Sequence, residues 1–205
     1  MKKNEMILGK NRWFFDLWAS NYDCAPFKFW MKRFHKPVLI EITNKTNEDI
    51  KILDLSCGSG ELLKEIHTKF PKAELYGADI SPKMLEVARK KLPENIVLQK
   101  MDVHKLEYPK NYFDFVFSTE AFHHYYDQEK ALQEMKRVVK HRGKVMIVDI
   151  NFFLGVIHRI FEKIEPGCVR VNGKREMREL FQSASLREVT QKRSFLFSVA
   201  TKGIK

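Results

Sequence analysis

The segment Lys51–Leu63 reads KILDLSCGSGELL and combines three local signals. Its apolar run, ILDL, is typical of a short strand buried inside a parallel sheet. Gly58 and Gly60 follow, and residues without a Cβ allow a sharp turn and the close approach of a ligand. Apolar residues then recur at helical spacing: Leu62, Leu63, Ile66 and Phe70. A strand, a glycine-rich turn and a helix form the first half of a nucleotide-binding βαβ unit.

The residues around this turn indicate which nucleotide it suits. A dinucleotide site has the pattern G-x-G-x-x-G, but the third glycine position is Leu63 here, which disfavours a pyrophosphate and therefore NAD. Acids instead follow the predicted strands: Asp54 in the turn, Asp79 at the end of LYGAD and Asp102 at the end of VLQKMD. Carboxylates repel a phosphate, whereas they hold a cationic nucleoside with a ribose diol and an exocyclic amine.

Four segments resemble the class I S-adenosylmethionine-dependent methyltransferases. ILDLSCGSG resembles their motif I, YGADIS their acidic loop, QKMDVHKL their adenine-binding segment, and YFDFVFSTEAFHHY their fourth strand with its loop. Over residues 12–150 the sequence is most similar to the small-molecule branch that contains the ubiquinone/menaquinone C-methyltransferases. The resemblance implies an α/β fold: a Rossmann-like, seven-stranded, mostly parallel sheet with helices on both faces and an antiparallel C-terminal hairpin.

The same resemblance implies S-adenosylmethionine as cofactor and indicates the residues that bind it. Asp79 lies where a ribose-binding acid belongs, and the Asp102 carboxylate is expected to accept the adenine amine. Ser56 replaces the family's usual glycine and can serve there if its φ is negative. The full predicted set is Tyr22, Asp54, Leu55, Ser56, Gly58, Gly60, Asp79, Ile80, Met84, Asp102, Val103 and Ser118.

The loop at residues 119–126 should face the transferred methyl group, because ligands lie beyond the carboxyl ends of strands in such sheets. It contains His123 and His124, which are the catalytic candidates. Adjacent residues cannot both point the same way on a regular element, so we expect one to act as a base and the other to pack or orient the loop. The three cysteines lack a paired metal-type spacing, and no metal site is predicted.

The charge of the chain is concentrated outside the predicted cofactor half. The 205 residues carry 37 Lys and Arg against 26 Asp and Glu, a net +11. Residues 1–36 contribute +5, residues 37–150 contribute zero, and residues 151–205 contribute +6. Basic flanks leave an anionic acceptor, a nucleic acid or an acidic membrane face open as partners. The sequence contains no run of 18 apolar residues, so no transmembrane helix is predicted.

The chain divides into a predicted N-terminal helical lid segment at 1–36 and a methyltransferase domain at 37–205 with a lid insertion at about 151–172. Pro37 should kink or restart a helix, and Gly143 should end one before the strand KVMIVDI. Residues 174–183 read as a helix. Apolar and polar residues then alternate in two adjacent segments, SLREVTQKR and SFLFSVATK. This pattern predicts two strands of a closing hairpin with almost no loop between them.

The predicted function is S-adenosylmethionine-dependent methyl transfer to a small-molecule O, N or C acceptor by a cytoplasmic monomer or homodimer. An RNA or protein methyltransferase is one alternative, supported by the basic flanks but by no compact basic block. An NAD-dependent oxidoreductase is disfavoured by Leu63 and by the acids. A catalytically silent cofactor-binding protein is the third alternative, and it rests on Ser56.

Overall fold

The computed structural model describes residues 2–19, 25–43 and 49–205, with the backbone alone for residues 2, 3, 18 and 25–30. The helices are α1 Lys2–Trp18, α2 Ala25–Thr43, α3 Glu61–Lys69, α4 Pro82–Arg89, α5 Gln128–Val138, α6 Gly155–Ile164 and α7 Lys174–Ser183. The strands are β1 Lys51–Leu55, β2 Glu74–Asp79, β3 Val97–Lys100, β4 Phe113–Thr119, β5 Val139–Ile150, β6 Arg187–Phe195 and β7 Ser198–Ile204.

The strands of the described residues form one seven-stranded sheet in the order β3-β2-β1-β4-β5-β7-β6. Strands β1 to β5 pair in parallel, and β7 runs antiparallel to both β5 and β6. From β1 the chain proceeds to β2 and β3 on one side of the sheet, and then to β4 and β5 on the other side. The direction of strand order therefore reverses at β1, which is where such folds bind ligands. The predicted sheet and its antiparallel C-terminal hairpin are confirmed.

Two apolar cores lie on the two faces of the sheet. Neighbouring residues of a strand point to opposite faces, so Ile52 of β1 joins one core and Leu53 joins the other. The first core includes buried residues of α2, α3 and α4, and the second includes those of α5 and α7. Helices therefore cover both faces, as predicted.

The glycine-rich turn has the backbone that glycine favours. Gly58 and Gly60 have φ values of 52° and 78°, in the left-handed region. A Cβ on Gly60 would lie only 2.7 Å from Cδ1 of Leu92, so the turn is also closely packed. After the next strand, the Ser81 side chain accepts a hydrogen bond from the Met84 amide at 3.1 Å and caps α4, as its sequence indicates.

Helix α2 continues through Pro37 and does not restart there. The boundary of the predicted lid segment at residue 36 therefore lies within a helix, and the lid role stays a prediction. Two other predicted boundaries were wrong. Helix α5 ends at Val138 rather than at Gly143, which lies within β5. The pairing of β4 with β5 shifts register there, and a Cβ on Gly143 would lie 2.7 Å from Val139, so this glycine serves a bulge rather than a helix cap. The hairpin turns at Leu196–Phe197, inside the second predicted strand.

Candidate functional site

A cavity of about 400 Å³ opens at the carboxyl ends of the central strands. Its wall brings together residues that the sequence analysis selected from four separate segments. They are Asp54, Ser56, Gly58, Asp79, Ile80, Met84, Asp102, Val103 and His124. Leu55, Gly60, Ser118 and His123 do not line it. Tyr22 lies outside the described residues.

Two buried acids flank the glycine hinge. One carboxylate oxygen of Asp79 accepts the Gly58 amide and the other accepts the Ser81 amide, both at 2.8 Å. Burial raises the pKa of Asp79 to about 6, although these amides favour the charged form. Burial and the Asp79 charge also raise the pKa of Asp54 well above its usual range. Oδ1 of Asp54 is buried and has no hydrogen-bond partner among the described residues, so its capacity to accept a hydrogen bond is unmet.

The third acid, Asp102, is held by two neighbours. Oδ1 lies 2.5 Å from Nδ1 of His104, and Oδ2 accepts the Tyr126 hydroxyl at 3.0 Å. The His104 and Tyr126 rings stack with centroids 3.6 Å apart. Burial would raise the pKa of Asp102, but these hydrogen bonds outweigh it and hold the pKa below its ordinary value. The acid that is expected at an adenine amine is therefore ionised and fixed in orientation.

Ser56 departs from the expected backbone. Its φ is +61°, so the negative φ that was expected of a serine here is not found. The chain bends at this residue, which lets the Ser56 and Cys57 amides both donate to the Ala78 carbonyl. The Ser56 hydroxyl lies 2.9 Å from the hydroxyl of Tyr125, which also lies 2.9 Å from the hydroxyl of Ser118. Tyr125 thus joins the turn after β1 to the end of β4. Sequence reasoning missed it, since no spacing indicates such a link.

The two histidines converge on one acid. They lie on a 3₁₀ turn, Phe122–His124, and their Nε2 atoms are 3.5 and 3.6 Å from Oε1 of Glu165. Both rings thus reach the same carboxylate although they are adjacent in sequence, but only His124 lines the cavity. Glu165 was missed, since it lies at the end of α6, far along the chain from the histidines.

Charges in this cluster shift the pKa of each member. Burial would lower the pKa of His123, but the carboxylates of Asp149 and Glu165 outweigh it and raise the pKa to about 10. Nδ1 of His123 lies 2.7 Å from Oδ1 of Asp149. Burial would raise the pKa of Glu165, but the hydrogen bonds and charges of the two histidines outweigh burial and lower the pKa to about 2. Burial and the neighbouring His123 lower the pKa of His124.

Helix α1 forms one side of the cavity. Leu8, Asn11 and Phe15 contribute to its wall. The Asn11 amide donates to the His124 carbonyl at 2.9 Å, and the Phe15 ring meets the His124 ring edge-on with centroids 5.1 Å apart. Asp16 accepts the Ser81 hydroxyl at 2.5 Å. The N-terminal helix therefore contacts both the histidine turn and the start of α4.

The sheet order, the glycine hinge and the three acids at successive strand ends together define an S-adenosylmethionine-dependent methyltransferase of class I. Comparison with known proteins agrees. The family described as "Methyltransferase domain" matches residues 53–147. Demethylmenaquinone methyltransferase of Thermotoga maritima is 30% identical over 156 residues, which cover 73% of this chain and 67% of that protein. The chain belongs to the family of S-adenosylmethionine-dependent methyltransferases that includes this enzyme.

A second relative extends the match. The ubiquinone/menaquinone biosynthesis C-methyltransferase UbiE of Shewanella baltica strain OS155 is 30% identical over 171 residues, covering 80% of this chain and 65% of that protein. The chain thus spans about two thirds of the length of these relatives.

Solved structures share the fold. A methyltransferase from Aquifex aeolicus has a TM-score of 0.71 and 21% identity, covering 92% of this chain and 97% of its own. A Haloferax volcanii protein, solved in complex with the Trm112 methyltransferase activator, has a TM-score of 0.79 and 22% identity over 93% of this chain and 96% of its own. Among the described helices, none combines the length and apolar character needed to cross a membrane.

Proposed function

We propose that this methyltransferase transfers a methyl group to an O, N or C atom of a small molecule. The observation that carries the proposal is one cavity with acids at its cofactor end and a histidine, His124, in its wall. A cavity of about 400 Å³ that is enclosed by α1 suits a cofactor with a small acceptor better than a folded macromolecule.

The described residues fit S-adenosylmethionine. Asp54 offers a buried carboxylate oxygen without a hydrogen-bond partner in the described part of the chain, which suits the cationic end of the cofactor. Asp79 accepts the ribose hydroxyls, while its bonds to the Gly58 and Ser81 amides hold it in place. Asp102 accepts the adenine amine beside the Val103 backbone. When bound, S-adenosylmethionine supplies an already activated methyl group.

The chain's task is then to orient the acceptor and exclude water. Proximity and orientation can lower a barrier by up to about 7–11 kcal/mol. Of the two predicted catalytic residues, His124 lines the cavity and is the one that meets the acceptor directly. His123 lies behind it against Asp149 and acts through the turn. A general-base role for either ring stays a prediction.

The acceptor class is supported by the relatives. The UbiE proteins are named as C-methyltransferases of ubiquinone and menaquinone biosynthesis, which supports C-methylation as one of the proposed reactions. The lid roles of residues 1–36 and 151–172 also stay predictions. So do the cytoplasmic location, the anionic acceptor and the monomeric or homodimeric state.

Labelled-methyl incorporation into fractionated cell extract tests this proposal. Extract is incubated with the protein and methyl-labelled cofactor, then divided into metabolite, lipid, protein and RNA pools. We expect enzyme-dependent label in the metabolite or lipid pool. Label confined to RNA or protein would contradict the proposal and support the alternative class, and a steep loss of RNA binding with added salt would strengthen that alternative. No label despite cofactor binding would support the catalytically silent reading.

A further inference from the structure

Three side chains with metal-ligating atoms meet at the histidine end of the cavity: His123, His124 and Glu165. One ligating atom from each lies within 4.8 Å of the others. The histidines belong to the turn after β4 and the glutamate ends α6. The Val169 and Arg170 amides donate to the His123 carbonyl at 2.8 and 3.1 Å, which packs the segment after α6 onto that turn.

The distances within this cluster suit an ion better than direct hydrogen bonds. Glu165 Oε1 is 3.5 Å from Nε2 of His123 and 3.6 Å from Nε2 of His124. Charge-assisted hydrogen bonds between such groups measure about 2.7–2.9 Å. Nitrogen and oxygen ligands at roughly 2.0–2.1 Å from a tetrahedral zinc ion lie about 3.3 Å from each other. The two nitrogen–oxygen separations are therefore close to ligand-to-ligand distances.

Buried atoms in the cluster lack partners. Nε2 of His123 and Oε2 of Glu165 are inaccessible to solvent, and neither has a hydrogen-bond partner within the described ranges. The His123 side chain is only 1% exposed. A buried polar atom that is left without a partner carries a free-energy cost, so an unpaired ring nitrogen and an unpaired carboxylate oxygen in one cluster require an explanation.

The surroundings also resemble the support that proteins give to metal ligands. Asp149, which is buried, lies 2.7 Å from Nδ1 of His123. A carboxylate at the far nitrogen of a ligating histidine fixes the ring and leaves Nε2 to the metal. Asp149 and Glu165 bring two negative charges to this buried place, which a divalent ion would balance in place of a proton on His123.

We propose that Nε2 of His123, Nε2 of His124 and the Glu165 carboxylate bind a divalent transition-metal ion of the zinc class. Imidazole and carboxylate ligands suit this class of ion. The sequence analysis predicted no metal site, because it searched cysteine spacings, whereas these ligands meet only through folding.

The proposal deepens the proposed function and rests on it for its role. Three protein ligands leave an open coordination position, as in catalytic zinc sites. Of the three ligands, His124 lines the cavity, so we place the open position on its side, toward the acceptor. An ion held there would bind a hydroxyl, phenol or enol oxygen of the acceptor and lower its pKa, so that this oxygen would release its proton to water and would not need a histidine base. The acceptor class is then one that carries such an oxygen at or beside the methylated atom.

Cobalt and zinc titrations of the full chain test the site without any acceptor. Co²⁺ binding is followed by its visible absorption, and Zn²⁺ binding by calorimetry. We expect one ion per chain, with a spectrum of nitrogen and oxygen ligands. Glu165→Gln should weaken binding by about 100-fold or more, and Asp149→Asn by about 10–100-fold. Glu162→Gln, on the same helix, is the matched control and should bind like the parent.

Calorimetry with S-adenosylmethionine shows whether each variant is folded. If Glu165→Gln does not bind the cofactor, His124→Gln is used in its place. Failure to bind either ion would overturn the proposal. Equal binding by Glu165→Gln and the parent would overturn it too, as would a thiolate charge-transfer band, which would place the ion on a cysteine. Because ion binding is measured directly, loss of methyl transfer alone would count against the proposed function and not against the site.

Discussion

The two ends of the cavity obtain their side chains in different ways. At the cofactor end, Asp54, Asp79 and Asp102 lie at or just beyond the carboxyl ends of β1, β2 and β3, so a parallel sheet brings them to one edge. At the acceptor end, His123 and His124 meet Glu165 only because the segment around α6 packs onto the histidine turn. The first arrangement follows from local motifs and the second from a long-range contact. This difference explains why the cofactor can be predicted from sequence and the acceptor cannot.

The largest expected effect separates the two ends. His124→Ala should reduce labelled-methyl incorporation by about 10²-fold or more, because it removes the cavity-lining histidine that we propose meets the acceptor. The affinity for S-adenosylmethionine should change by no more than about twofold, since the acids are untouched. Incorporation into extract and calorimetry measure the two quantities. His67→Ala, on α3, is the control; an equal loss in that variant, or a large loss of cofactor affinity in His124→Ala, would remove the separation.

Asp79→Asn should act in the opposite way. Charge-assisted hydrogen bonds contribute about 1.5–3 kcal/mol, so cofactor affinity should fall by about 10–100-fold. Asn can accept only one of the Gly58 and Ser81 amides, so the melting temperature of the variant is measured alongside to separate a loosened turn from loss of the ribose contact. Calorimetric titration measures the change, with Asp127→Asn as control because asparagine caps α5 as well as aspartate. Unchanged affinity in Asp79→Asn would show that this carboxylate does not hold the ribose.

The sequence predicted most of the fold but only part of the lining of the site. The apolar run of β1 and the glycine-rich turn after it are local signals, so this strand and turn were predicted correctly. Gly143 was misread because a bulge glycine and a helix-ending glycine look alike in sequence. Tyr125 and Glu165 were missed, since hydroxyl and carboxylate contacts across the fold leave no periodic signal.

Lower pH should weaken the cofactor end selectively. Burial raises the pKa of Asp79 to about 6, and the ribose hydroxyls donate to its ionised form. Affinity should therefore be full above this pH and fall as the pH drops through about 6, by up to about tenfold per unit for one linked proton. Burial favours the protonated form, so this carboxyl contributes more to the stability of the free protein as the pH falls. Calorimetry between about pH 5 and 8 tests this, and a flat affinity would contradict it.

The smallest effect concerns the hinge itself. Ser56→Gly relieves a positive φ that costs about 1–3 kcal/mol for a residue with a Cβ, but it loses one neutral hydrogen bond of about 0.5–1.5 kcal/mol. The free energy of unfolding should therefore change by only about 1 kcal/mol, measured by urea denaturation. Tyr125→Phe leaves the buried Ser118 hydroxyl unpaired and should cost about 1–3 kcal/mol. A Ser56→Gly change larger than that of Tyr125→Phe would contradict this view of the hinge.

The most direct measurement is calorimetric titration of the full chain with S-adenosylmethionine and NAD in parallel. Carboxylates around the glycine hinge attract a cationic adenosyl donor and repel a pyrophosphate, so the chain should bind one S-adenosylmethionine and no NAD. Binding of NAD, or binding of neither ligand by a folded sample, would contradict the central claim that these acids hold the cofactor.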